Sequence, residues 1–396
     1  MTMSTRRCVV CRSDQTVPFL ARDHVPVHQN LLLADHAQAL ATPTGSLQMC
    51  VCSSCGFVFN AAFDASRLSY GQGYDNTQSH SVVFDAYLDG LAAQLVNQHG
   101  VRAARIVEVG CGKGHFLHKL VDFPGAGNTG YGFDPSYAGP DSALDGRIRF
   151  RRSFYDAHCA DVPADVVVCR HVIEHVADPM PLLRAVRAAL VNSPLAKVFF
   201  ETPCVEWMLR NQVVWDWFYE HCALFCASSL RSAFERSGFA VDAVTNIFGG
   251  QYLWLAAHPA PGGATDATAQ AGDMVQLAKA FGRNESSLRG HWLQRLGGLR
   301  AQGPVALWGA GAKGATFAHL VDPQAKLLDC VVDINPNKQG CYVPGSAHAI
   351  VAPDALTTRA VANVVLMNPN YRQETLQMLA AVGCTSKLID WSDTCN

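Results

Sequence analysis

At 396 residues the chain exceeds what one ordinary hydrophobic core supports, so two or three domains are expected. A formal net charge of -2 supplies no basic field, which argues against a protein that lives on nucleic-acid phosphates. No run of eighteen apolar residues occurs, and the first residues lead into cysteines instead of an apolar signal core, so the expectation is a soluble cytoplasmic protein with no membrane partner.

Fifteen cysteines is an odd number, spread through apolar stretches, and reads mostly as small buried hydrophobes in a reducing compartment. Cys8-Val-Val-Cys11 and Cys52-Ser-Ser-Cys55 differ: each is a knuckle that lets two thiolates converge from one tight turn. Two knuckles complete the tetrahedral sulfur shell that zinc prefers. Cys50 could shift the ligand set, but Gly56 after Cys55 fits the turn of a knuckle and favours Cys52 with Cys55. A closed four-sulfur site is structural and leaves His24 and His28, between the knuckles, no role.

The polar, glycine-bearing segment 70–81 follows, with Tyr74, Asn76 and Gln78 available to close over a ligand. Residues 82–99 carry helix-like apolar spacing. From Arg105 onward strand and helix patterns alternate, with strands at 106–109, 129–133, 148–154, 164–169 and 196–201, and helices at 114–121 and 181–190. That alternation predicts a parallel sheet with helices on both faces. The first strand runs into Glu108-Val-Gly-Cys-Gly-Lys-Gly114, and the second ends at Asp134. Strand, glycine turn and an acid about twenty residues on describe a nucleotide site, the acid gripping ribose hydroxyls.

The spacing of Gly110, Gly112 and Gly114 resembles the first motif of class I S-adenosylmethionine (SAM)-dependent methyltransferases. In that reading the glycines make room for the methionine part of SAM. Phe154 or Tyr155 either flanks the adenine or belongs to the core, and after the fourth strand His171 can meet the cofactor, while Arg170 either does so or is a surface or salt-bridged residue. Residues 257–269, rich in Pro, Gly, Ala and Thr, read as a linker, followed by a helix over 274–299. A second strand, glycine loop and acid then appear: 305–308, Gly309-Ala-Gly-Ala-Lys-Gly314, and Asp333 after 327–332, now with dinucleotide-type spacing. That loop either binds a nucleotide or inherits the fold without a ligand.

Taken together, the knuckles, the SAM loop, Tyr219-Glu-His221, Gly249-Gly-Gln-Tyr-Leu-Trp254 and the second glycine loop resemble three-domain C-methyltransferases of branched-deoxysugar biosynthesis. The resemblance implies an α/β chain: a zinc-binding module at 1–69, a Rossmann-like methyltransferase domain at 70–258, a linker and helical segment at 259–299, and a Rossmann-like domain at 300–396. It also implies a nucleotide-linked keto-sugar whose enolate attacks the methyl group of SAM. Family members often carry Asn four residues before the His that follows the fourth strand, whereas this chain has His171-Val-Ile-Glu-His175, a departure that weakens the keto-sugar assignment.

Carbon methylation needs a base and donors for the enolate oxygen. His221 is the first choice for base because its unperturbed pKa lies near working pH. Glu220 is the second, as base or as the carboxylate that orients an imidazole. Tyr219 is a donor, and His175 belongs either to the cleft or to a structural loop. The expected partner is a small-molecule acceptor, nucleotide-linked or free, on a monomer or homodimer. O- or N-methylation of a natural product on the same fold, and a zinc-dependent binding module with a silent transferase fold, are the competing functions.

Overall fold

The computed structural model describes residues 7–68, 73–265 and 270–391. The start of the polar segment at Tyr70, the boundary at 69/70 and the end of the linker at 266–269 lie outside the described residues. The cysteine module is built on an antiparallel sheet of Thr16–Pro26, Thr44–Cys52 and Val58–Asn60. Its fourth strand, Ala223–Leu224, comes from the middle of the chain, just after His221.

The central sheet has eight strands. In spatial order they are Phe239–Ile247, Tyr252–Pro259, Lys197–Pro203, Val166–Arg170, Arg105–Val109, Thr129–Phe133, Ile148–Arg151 and Ser142–Ala143. Five of them, from Lys197–Pro203 through Ile148–Arg151, pair parallel, as the alternation predicts. The expected all-parallel sheet is corrected at both edges, where Ser142–Ala143, Tyr252–Pro259 and Phe239–Ile247 pair antiparallel. The last two form a hairpin closed by Gly249 and Gly250 at positive φ, and the strand continues to Pro259, taking up the first three residues of the expected linker. The chain order reverses at Arg105–Val109, with Thr129–Phe133 on one side and Val166–Arg170 on the other. Loops at the carboxyl end of this strand are therefore where a ligand is received.

The C-terminal sheet is parallel, in the order Ile350–Val351, Cys330–Val332, Val305–Trp308, Asn363–Leu366, Lys387–Asp390. It reverses at Val305–Trp308, whose carboxyl end carries the second glycine loop. The helix Met274–Arg300 is not a mere connector. Its Phe281 is fully buried with Trp217, and Glu285 forms a buried ion pair with Arg22 of the N-terminal sheet at 3.0 Å. Gly282 lets the backbones approach, since a Cβ there would lie 2.0 Å from the Phe19 carbonyl oxygen. Gly282→Ala should therefore destabilise the fold by about 1–3 kcal/mol, despite the better helix propensity of alanine. An unchanged urea midpoint would contradict this packing.

Candidate active site

The four sulfurs of Cys8, Cys11, Cys52 and Cys55 converge, all within 4.8 Å of one another. Cys8–Cys55 and Cys11–Cys52 separations are 3.7 and 3.4 Å. With Zn–S bonds near 2.3 Å, a tetrahedral site has sulfur–sulfur edges of about 3.8 Å, so the donor set fits zinc. Cys50 stands outside the cluster, and burial pushes its thiol up to about 11. The knuckle pairing of Cys52 with Cys55 is thus the one the fold presents.

At the central switch point, Gly110, Gly112 and Gly114 all adopt positive φ, and Gly114 starts the helix His115–Val121. A Cβ on Gly110 would lie 2.3 Å from Val172, and one on Gly114 2.5 Å from Phe150, while the space above Gly112 is open. Asp134 accepts from the Gly112 amide at 2.9 Å and from Ser136 N and Oγ at 2.8 and 2.6 Å, which aims its carboxylate at the loop. Glu108 is buried beneath, accepts from the Leu117 amide at 3.1 Å, and is pushed up to about 8 by burial. An open glycine cradle beside a fixed acid suits the methionine and ribose of SAM.

Three expected cofactor contacts are corrected. Tyr155 is 2% exposed and packs on Phe133 at 5.0 Å, so it belongs to the core, whereas Phe154 is 72% exposed. Arg170 is buried, paired with Glu201 at 2.5 Å and stacked over Phe116, so its charge is committed to that carboxylate. His171, held at φ +52°, lies between Glu174 and Glu201, with nitrogens at 3.2 and 3.1 Å from them. Burial works against its charge, but the two carboxylates prevail and raise it to about 9, so it is an imidazolium at neutral pH with both N–H groups committed. Lys113, on the SAM loop itself, was missed: its ammonium reaches Thr77 Oγ1 at 2.6 Å and Asp75 at 3.4 Å, tying segment 74–81 to the loop.

A cavity of about 300 Å³ opens between the central and C-terminal sheets. From the central unit it is lined by His171, His175, Glu220 and His221, from segment 74–81 by Tyr74 and Gln78, and from the C-terminal unit by the 309–314 loop. Tyr219 does not face it. Its ring is fully buried under Gly45, and its hydroxyl donates to the Asp64 carbonyl and accepts the Asp64 amide, so the expected catalytic donor is a structural residue of the N-terminal sheet. The chain turns here, with the His221 amide donating to the Phe218 carbonyl at 3.3 Å, so Phe218, Glu220 and His221 line the cavity while Tyr219 points away.

Glu220 is not the partner of His221 that adjacency suggested. Its Oε1 lies 3.5 Å from His28 Nδ1, and its Oε2 accepts the Gln29 amide at 3.1 Å. His28, left without a role by the sequence reading, therefore meets the cavity's carboxylate, and no local motif could have signalled a pairing 192 residues long. His221 packs against His175 at 4.8 Å and Phe218 at 4.2 Å. Burial first, then the neighbouring His175 and His171, hold its pKa well below the ordinary 6.5, leaving a neutral ring.

On the C-terminal side, Asp333 repeats the geometry of Asp134: it accepts the Ala310 amide at 2.7 Å and the Asn335 amide at 2.8 Å. Lys313 pairs with Asp216, and Lys338 donates to the Ala310 carbonyl and to Asn30 Oδ1, both at 3.0 Å.

These features define the class I SAM-dependent methyltransferase fold, a Rossmann-like α/β unit with its glycine loop at the switch point. Residues 84–244 match the family described as a methyltransferase domain, and residues 265–388 match the one described as a C-methyltransferase C-terminal domain. The chain thus joins a methyltransferase domain to the C-terminal domain of C-methyltransferases. Among curated proteins it is 34% identical over 109 residues to the ubiquinone biosynthesis O-methyltransferase of Vibrio campbellii, covering 26% of this chain and 45% of that one. It is 33% identical over the same length to the Escherichia coli O127:H6 protein of that name, covering 26% and 44%. The match spans less than half the length of these relatives. Solved structures that resemble it include the 1,6-didemethyltoxoflavin-N1-methyltransferase of Burkholderia thailandensis, with 14% identity, TM-score 0.35, and coverage of 46% of this chain and 82% of that one. Another is the PH0226 protein of Pyrococcus horikoshii, with 13% identity, TM-score 0.35, and coverage of 48% and 100%. Among the described residues no helix is long and apolar enough to cross a membrane.

Proposed function

We propose that the protein is a SAM-dependent methyltransferase that methylates a small metabolite on carbon next to a carbonyl, with Glu220 as the base. The observation that carries this reading is the pair Glu220 and His221 facing one cavity, with the C-methyltransferase C-terminal domain as its opposite wall. Glu220 Oε takes the proton from the acceptor's C–H. The neutral His221 ring donates N–H to the oxygen on which the enolate charge develops, a task for which an imidazole of low basicity is suited. Gly110, Gly112, Gly114 and Asp134 hold SAM, which supplies an electrophilic methyl group; the carbon gains it as the carbon–sulfur bond breaks. His221 thereby moves from first-choice base to donor, because burial that keeps it neutral also makes it a poor proton acceptor. His175 backs the ring, and the 309–314 loop receives the far end of the acceptor. The locked imidazolium of His171 presents no free N–H to a sugar carbonyl, so the keto-sugar substrate loses support.

The similarity to ubiquinone biosynthesis O-methyltransferases favours a second reading, in which Glu220 deprotonates a hydroxyl and oxygen takes the methyl group. Proton and carbon NMR of the product formed with ¹³C-methyl SAM separates the two, since carbon-bound and oxygen-bound methyls resonate far apart. Only oxygen- or nitrogen-bound label would overturn the carbon assignment. Cofactor binding is tested independently. Asp134→Ala should weaken SAM binding about tenfold or more, roughly 1.4 kcal/mol. Unchanged affinity by calorimetry would remove the central loop from the cofactor site.

A further inference from the structure

We infer that the cysteine module is part of the catalytic site: through His28 it positions Glu220. This rests on the reading of Glu220 as the base and adds the group that aims it. The side chains of His28 and Glu220 are 4% and 2% exposed, and their contact at 3.5 Å is joined by the Gln29 amide on the other carboxylate oxygen. Each carboxylate oxygen keeps a second lone pair, so the clamp fixes the group without consuming its proton-accepting capacity.

The next residue, Asn30, continues the pattern. Its side chain accepts from Lys338 of the C-terminal unit and donates toward the Tyr74 hydroxyl at 3.5 Å, and its carbonyl accepts the Asp75 amide at 2.9 Å. Three consecutive residues leaving the strand Thr16–Pro26 thus hold the base, the second glycine loop and the segment that reaches the SAM loop. A purely structural module has no need to place a buried imidazole on a cavity-lining carboxylate. A displacement of about 1 Å in a reacting group can cost a hundredfold in rate, which makes such a clamp consequential.

The test uses the full chain with its cysteine cluster intact and S-adenosylhomocysteine in the donor site. The probe is acetoacetanilide in deuterium oxide, its methylene exchange followed by proton NMR after subtraction of the uncatalysed rate. His28→Phe keeps a buried ring but removes the hydrogen-bonding nitrogen, and should slow exchange about tenfold or more. His28→Asn returns a nitrogen to the Nδ1 position and should recover to within about threefold of wild type. SAM affinity should be equal in all three proteins. Unchanged exchange in His28→Phe, or equal loss in both variants, overturns the positioning role. Absence of exchange in the wild type counts against the carbon-acid reading instead. In that event hydrogen–deuterium exchange decides the clamp: Glu220→Ala should speed exchange of the Gln29 amide about tenfold or more, and no change there overturns it.

Discussion

Glu220→Gln should lower kcat about a hundredfold or more, the usual scale for removal of a general base, while leaving SAM affinity unchanged. The amide keeps the size of the side chain, and its oxygen can still accept from Gln29, so the fold and the clamp geometry persist while the proton acceptor disappears. His221→Asn should cost less, because the amide retains an N–H donor. The pH profile sharpens the distinction. A base is active when deprotonated, and the His221 pKa is held well below 6.5, so the ring stays neutral on both sides of that value. The kcat profile should therefore show no inflection near 6.5 that His221→Asn abolishes. Such an inflection, or near-wild-type turnover by Glu220→Gln, would return the base to an imidazole.

Removal of the metal should have the largest effect on the fold. Four thiolates brought to tetrahedral spacing without an ion would repel one another, and structural zinc sites contribute on the order of 10 kcal/mol of apparent binding energy to folding. Elemental analysis should find about one zinc per chain, and Cys52→Ser should lower it while exposing the Thr44–Cys52 strand to proteolysis. Because residues 28–30 leave the same sheet to hold Glu220 and Lys338, turnover should fall together with metal content, ahead of any loss of SAM binding at the Gly110–Gly114 loop, which they reach only through segment 74–81. Protein that contains no zinc and keeps its N-terminal order would refute the assignment.

What the sequence determined by itself is local. Cys-x-x-Cys pairs, the Gly110–Gly114 loop after an apolar run and Asp134 at the end of the next are short-range patterns, because a turn, a positive φ or a strand end is decided within a few residues. The same locality made the central parallel strands and the two glycine loops legible. It failed where direction depends on what lies above or below a residue. In Tyr219-Glu-His221 one side chain turned into the N-terminal sheet, one met His28 and one packed against His175 at the cavity wall, although all three are polar and consecutive.

Only the tertiary structure decided these partners. By sequence Arg170 can equally meet a cofactor or a carboxylate, and Glu201, on the neighbouring strand, takes it. His28 looked superfluous until the strand Ala223–Leu224 joined the N-terminal sheet and carried Glu220 to it. The physical reason is common to both: a buried charge must find a partner or neutralise, and the partner is supplied by whichever chain segment packing brings within hydrogen-bond reach, at a sequence separation no periodicity encodes.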